Sequence, residues 1–375
     1  MLLYIHVPFC RSKCLYCAFS SQVYTPELEQ SYFQALAKEI RIRGDQAGGK
    51  EISSIYLGGG TPTLLSALLL TKIIDLAASH FSLAPELEFT VEANPEDIKD
   101  KDYPSALKDL GVNRLSLGVQ SLDDEILARL GRRHTADQAM RAAVLVREAG
   151  LDNLSLDLIW GLPGQTLEGW MEDLETALIL DPKHVSCYGL TLEPDTPLAR
   201  MNEAGQTLLP EDHVQSRMYL LGGQFLESKG LMQYEVSNFA RQGFICMHNT
   251  GYWEGEEFLG LGPSAVSTVK GIRWKNPGKI QDYSELAESS FKKMELEELD
   301  GRKLANERIM LCLRTTKGLK LSDYKESTGE DFLDRFRDQV NALCKNKLAV
   351  LSEGRLSLTK TGMLVSNSII ERFIS

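Results

Sequence analysis

Three cysteines within eight residues, Cys10-x3-Cys14-x2-Cys17, form the densest set of metal-binding side chains in this 375-residue chain. Thiolates spaced this closely on one short segment can wrap an iron–sulfur cubane, which takes one thiolate per iron. Three thiolates leave the fourth iron coordinatively open, the state in which a metal centre binds a small molecule. A zinc site completed by His6, or three unrelated buried thiols, would explain the same residues. A zinc knuckle usually shows paired C-x2-C units, however, and no second pair follows. Cys187, Cys312 and Cys344 sit in apolar patterns and read as core, as do Trp160 and Trp170.

Other segments carry chemistry of their own. Gly58-Gly59-Gly60-Thr61-Pro62 can bring bare backbone against a ligand, because glycine has no Cβ to screen its amide and carbonyl. It is not a nucleotide-phosphate loop, since no Gly-Lys-Ser/Thr follows. Glu92 can accept hydrogen bonds from amino or hydroxyl groups, and Arg132 can hold a carboxylate with its two-pronged guanidinium. Gln120 and Asp157 are polar residues in otherwise apolar strands, where each must satisfy a neighbour or face a ligand. His248, Asn249, Tyr252 and Trp253 fall in one short run. Imidazole is a common axial ligand of heme iron, and flanking aromatics offer flat apolar surface. A loop whose Tyr252 and Trp253 are simply core would look the same. Cys246 is a second candidate contact there or a small buried thiol, and His134 lies close behind Arg132.

The elements that must position these residues alternate. Apolar runs at Leu2–Val7, Ile52–Leu57, Leu87–Val91, Arg114–Gly118, Leu154–Ile159 and His184–Leu190 read as strands. Amphipathic stretches at Glu27–Arg43, Leu64–Ser79, Ala136–Ala149 and Leu167–Leu180 read as helices. Such alternation predicts an α/β fold of parallel βαβ units, either a partial barrel or a doubly wound sheet. Polar or glycine-rich residues recur at or just beyond the ends of these strands, where barrel enzymes gather their functional groups. The expectation is an open, partial (β/α)6 barrel over residues 1–205, with an extension over 206–298 that contains the His248 segment. Residues 299–375 change to helices around a hairpin turning at Glu353-Gly354, which predicts an α-rich, winged-helix-like domain.

With 41 Lys and Arg against 52 Asp and Glu, the net charge is −11 and no basic block occurs. Sequence-independent nucleic-acid binding, which needs a basic surface, is excluded on that ground. No apolar run reaches the ~20 residues of a membrane span. Nor does the N-terminus have the basic start of a secretory signal, so the expected location is the cytoplasm.

The C-x3-C-x2-C triad resembles the signature of the radical SAM superfamily, whose open iron chelates S-adenosylmethionine (SAM) and whose cluster cleaves it by one electron. Tyr-x-His-x-Pro-Phe-Cys, Gly-Gly-Gly-Thr-Pro, Gly-Val-Gln-Ser, Leu-Gly-Arg-Arg-His and Gly-Leu-Pro-Gly-Gln-Thr occur in one order. That set is similar to the coproporphyrinogen dehydrogenase (HemN-like) family. The resemblance implies a [4Fe–4S] cluster on Cys10, Cys14 and Cys17. It also implies a SAM pocket lined by Tyr4, Gly59, Gly60, Thr61, Glu92, Gln120, Arg132 and Asp157. The dehydrogenases carry a further cysteine where this chain has Phe19, and an extension before the first strand. His248-Asn249-Thr250-Gly251-Tyr252-Trp253 instead resembles the H-N-x-x-Y-W motif of the heme chaperones (HemW type) in the same family. That implies heme held by His248, Asn249, Tyr252 and Trp253. The expected partners are acceptor hemoproteins such as respiratory membrane enzymes, an electron donor for the cluster and, if the chain pairs, a second copy. The rival expectation is oxygen-independent decarboxylation of coproporphyrinogen III; a SAM-binding protein acting on another substrate is the third.

Overall fold

The computed structural model, in which residues 1–292 and 294–374 are described, turns the apolar runs into six strands. These are β1 (Leu2–Val7), β2 (Glu51–Gly59), β3 (Ser82–Ala93), β4 (Arg114–Gln120), β5 (Leu154–Trp160) and β6 (His184–Gly189). Helices α1 (Pro26–Ala47), α2 (Ala67–His80), α3 (Asp102–Asp109), α4 (Asp124–Arg129), α5 (Ala136–Glu148) and α6 (Leu167–Ile179) connect them. Short polar side chains start the longer helices by accepting from the first free amides: Thr25, Ser66, Thr166 and the reciprocal pair Thr135/Gln138.

All six strands are parallel, and each pairs with the next in chain order. Without a reversal of order there is no switch point, so the sheet winds one way, as a barrel does. After α7 (Pro197–Glu203) and α8 (Asp212–Ser228), strand β7 (Asn238–Ala240) adds antiparallel to β6. The chain then crosses to the other edge through α9 (Met247–Glu254). There β8 (Phe258–Leu261) lies parallel to β1, followed antiparallel by β9 (Val266–Val269) and β10 (Ile272–Lys275). The six expected parallel strands are all present, and β8, four residues long and containing Gly260, adds a further short parallel strand beside β1. Among the described residues the sheet has 12 strands and stays open, its two edges unpaired with each other.

Side chains alternate across each strand. Leu3, Ile5, Val7, Ile55, Leu57, Val91, Leu115, Leu117, Leu156 and Val185 are buried in the main core with the helices. The residues between them, Tyr4, Tyr56, Glu92, Arg114, Ser116, Asp157, Ser186 and Tyr188, line cavities instead. The interior of the sheet is thus polar, unlike the apolar filling of most barrels.

Helix α10 (Ile280–Glu288) leads to α11 (Gly301–Cys312), β11 (Leu319–Lys320), α12 (Leu321–Thr328), α13 (Phe332–Lys345), β12 (Ala349–Ser352) and β13 (Arg355–Leu358). The three strands form a separate sheet under the helices, a winged-helix arrangement around Tyr324, Phe332, Phe336 and Phe373. Glu353 and Gly354 both take positive φ, which suits the twist of a two-residue hairpin. After the hairpin the chain forms two short helices, α14 (Lys360–Leu364) and α15 (Ser366–Ile370), divided at β-branched Val365 (φ −110°, ψ 24°).

One buried carboxylate ties the first helix to the far edge of the sheet. Glu39 on α1 accepts from Gly262 N (2.8 Å), Asn276 Nδ2 (2.9 Å) and Tyr283 Oη (2.6 Å). Removing it would strand those donors away from water, at about 3 kcal/mol. Glu39→Ala should lower the unfolding free energy read from a urea titration by that amount, and an unchanged value would show that this edge is held by packing alone.

Candidate functional site

The C-terminal ends of β1 to β6 surround a cavity of about 380 Å³. Cys10, Cys14 and Cys17, on the loop after β1, line it half-exposed. Thr61 Oγ1 points at Cys10 Sγ (3.8 Å), and Arg132 Nη1 donates to Cys14 Sγ (3.6 Å). Asn94 Oδ1 (2.7 Å) and Gly118 O (2.8 Å) fix the same guanidinium, whose Nε is enclosed without a partner. A fixed cation at a thiol suits an anionic thiolate-bound group.

Among the described residues, no three His, Cys, Asp or Glu side chains converge as a single ion would require. A cubane distributes its thiolates over three different irons, so spread thiols around an open cavity fit it better than they fit zinc. His6 is not a fourth zinc ligand: Tyr4 Oη (3.0 Å) engages Nδ1 and Ser20 O (2.8 Å) engages Nε2.

Gly59, Gly60, Thr61, Glu92, Gln120, Arg132 and Asp157 all line this cavity, as the sequence suggested. Gly59 has φ +109°, and a Cβ there would lie 2.4 Å from the His6 ring. Glu92 accepts from Tyr56 Oη (2.8 Å) and Gly59 N (3.0 Å). Burial raises its carboxyl to about 7. Gln120 sits at φ +69°, at a register shift that ends β4, a strained conformation of the kind that marks ligand sites. Three serines, Ser116, Ser155 and Ser186, donate to Asp157.

Tyr4 lines a second chamber of about 330 Å³, nearer the N-terminal ends of the strands, and adjoins the first cavity through its hydrogen bond with His6 and its stacking on Tyr56, the donor to Glu92. Arg114 and His184 were missed as lining residues. Strict alternation with the outward apolar positions would have found them.

The His248 segment forms α9, closing the bottom of the sheet. Glu88 accepts from Met247 N (2.9 Å) and His248 N (2.9 Å), so a carboxylate meets the positive end of the helix. Gly251 packs where a Cβ would lie 2.8 Å from Leu2. His248 is buried, its Nδ1 bonded with Ser54 Oγ (2.8 Å) and its Nε2 with Tyr252 Oη (3.3 Å). Burial, then the nearby Arg114, lowers its imidazole to about 3, so it is neutral at ordinary pH. The motif divides between two spaces. His248, Asn249 and Tyr252 line the inner chamber, whereas Trp253 lines an outer cleft of about 740 Å³ against the C-terminal domain. Cys246 is the small buried thiol, with burial pushing it up to about 12.

Over 373 residues the chain is 35% identical to the heme chaperone HemW of Bacillus subtilis, covering 99% of this chain and 98% of that protein. The chain belongs to the HemW family. It is 40% identical to the Escherichia coli HemW over 271 residues, covering 71% of this chain and 70% of that one. For the Haemophilus influenzae HemW the identity is 31% over 386 residues, covering 100% and 97%. Residues 4–177 match the radical SAM superfamily, and residues 299–365 match the HemN C-terminal domain. The solved coproporphyrinogen III oxidase HemN of Escherichia coli, a radical SAM enzyme, shares the fold, with a TM-score of 0.85. Its identity is 24%, covering 100% of this chain and 90% of that one. No helix among the described residues is long and apolar enough to cross a membrane.

For this HemW-family chain, Cys14→Ala should remove most of the iron and sulfide taken up in anaerobic reconstitution. A full complement of both in the variant would refute Cys14 as a ligand.

Proposed function

We propose that the chain is a heme chaperone that binds heme and passes it to acceptor hemoproteins, respiratory membrane enzymes among them. It does so with a [4Fe–4S] cluster on Cys10, Cys14 and Cys17 and SAM in the adjoining 380 Å³ cavity. The observation that carries this reading is the full-length relationship to proteins named heme chaperone HemW. Retention of H-N-x-x-Y-W on α9 and the exposed Phe19 at the cavity rim, in place of a fourth cysteine, support it.

Bound there, the cluster and SAM supply one-electron chemistry that the protein side chains lack. The chain's own residues orient and shield. Arg132 offsets negative charge at the thiolates, Gly59 and Gly60 let backbone approach the ligand, and Glu92 accepts from an ammonium group. An electron donor would approach the cysteine loop, which is the exposed side of the site.

Heme fits the outer cleft in chemistry. Trp253 gives it a flat wall, Met232 and Ile245 are exposed apolar side chains, and Arg241, Arg308 and Lys317 suit two propionates. Iron ligation by His248, which lines the inner chamber, requires Tyr252 to release Nε2 and the heme to reach that chamber; stacking on Trp253 in the outer cleft requires neither.

Hemin titration followed by the Soret band tests this. His248→Ala should weaken binding about tenfold or more, whereas Tyr252→Phe, which frees Nε2, should strengthen it. Equal affinity in all three proteins removes His248 from the account, and no hemin binding by the parent sinks the chaperone reading. Anaerobic formation of protoporphyrinogen would install the dehydrogenase in its place.

SAM affinity should rise between pH 6 and pH 8. Glu92 loses its proton near pH 7 and only the carboxylate accepts from the SAM ammonium group. In Glu92→Gln the affinity should be lower and independent of pH over that range. A parent with no pH dependence would mean that Glu92 does not meet the ammonium group.

A further inference from the structure

The inner chamber contains a guanidinium that has no hydrogen-bond partner among the described residues. Arg114, the first residue of β4, is 2% exposed and lines the 330 Å³ space. Its guanidinium makes no hydrogen bond to any described residue, and its Nε is sealed from solvent without a partner. Thr90, paired with Arg114 across the sheet, also has a buried hydroxyl with no partner. A guanidinium offers five donors in a rigid fork, and burying one unpaired is among the costliest arrangements a fold can keep.

The nearby carboxylate does not resolve it. Glu88 is occupied by Met247 N, His248 N and the Cys246 thiol, and it forms no ion pair with Arg114. The rest of the wall is neutral and already bonded. His184 holds Ser155 and Tyr234, His248 holds Ser54 and Tyr252, and Asn249 donates to Tyr234. Arg114 therefore supplies the one full charge among the chamber's lining residues. Ser116 and Tyr188 line both this chamber and the cysteine-lined cavity above, so the two spaces adjoin inside the sheet.

We propose that the inner chamber is a carboxylate-binding site, with Arg114 gripping the carboxylate through its paired N–H groups and the ligand entering past Ser116 and Tyr188. A planar carboxylate matches the fork of a guanidinium in two parallel bonds. The carboxylate belongs either to a small free acid or to the end of a longer molecule whose remainder lies in the upper cavity. The chamber shares His248, Asn249 and Tyr252 with the heme reading, but the carboxylate site rests on Arg114 and on no iron ligation.

Isothermal titration of the reconstituted protein with propionate and with octanoate, against a chloride control, separates these sources. Each methylene drawn from water into the upper cavity is worth about 0.8 kcal/mol, roughly fourfold in affinity. Octanoate binding far tighter than propionate identifies the head of a longer ligand; similar affinities identify a small free acid. Arg114→Met should weaken either acid on the order of thirtyfold or more, and Arg114→Lys by an intermediate amount, since it keeps the charge and loses the fork. Without ligand, Arg114→Met should melt no lower than the parent, because it removes an unpaired buried charge. No saturable binding by the parent, or parent-like affinity in Arg114→Lys and Arg114→Met, overturns the proposal. A large fall in melting temperature in Arg114→Met with carboxylate affinity retained also overturns it, making Arg114 a structural counter-charge to Glu88. Should Arg114→Met fail to fold, the parent and Arg114→Lys titrations still decide.

Discussion

A parallel strand is buried on both faces, so a curled sheet of such strands must accommodate the face turned towards its axis. In most barrels that face is apolar and the axis is packed solid. Here the outward positions are leucine, isoleucine and valine against the helices, while the inward ones are tyrosine, serine, glutamate, arginine and histidine. Polar groups in that position must be bonded to one another or to a ligand. Most are bonded: three serines hold Asp157, and Tyr56 and Gly59 hold Glu92. The cavities lie where the bonding is incomplete.

This division sets the electrostatics of the whole interior. Its imidazoles are kept neutral by burial, and its carboxylates are tied to hydroxyls and amides. Against that background two guanidiniums stand at different depths. Arg132 is locked in place at the thiols, and Arg114 has no fixed partner lower down.

Much of this was legible in the sequence. The three cysteines, the glycine run, Glu92, Gln120, Arg132 and Asp157 announce themselves because each is anomalous for its element, and the structure gathers all of them around one cavity. That Tyr4 lines the lower chamber was not legible, because periodicity says which face a side chain takes but not how far along the axis it sits. Arg114 was passed over because a charged residue at the start of a strand looks like a solvated edge until the register is known. β8 escaped notice since four residues around a glycine carry almost no periodic signal. The split of the His248 segment between two spaces is a property of helix α9, and a run read as a loop gives no hint of it.

The pairing of β1 has a consequence for synthesis. Residues 2 to 5 find one of their two neighbours only in residues 258 to 261. At 5–20 residues per second, the ribosome takes on the order of ten to fifty seconds to add that stretch. Throughout that interval β1 has one unpaired edge and Leu2 lacks the Gly251 it packs against. The three thiols, directly downstream, leave the ribosome long before the chain that closes the sheet beneath them. The first strand made is therefore among the last to be completed, and its open edge is what a nascent-chain chaperone would have to cover.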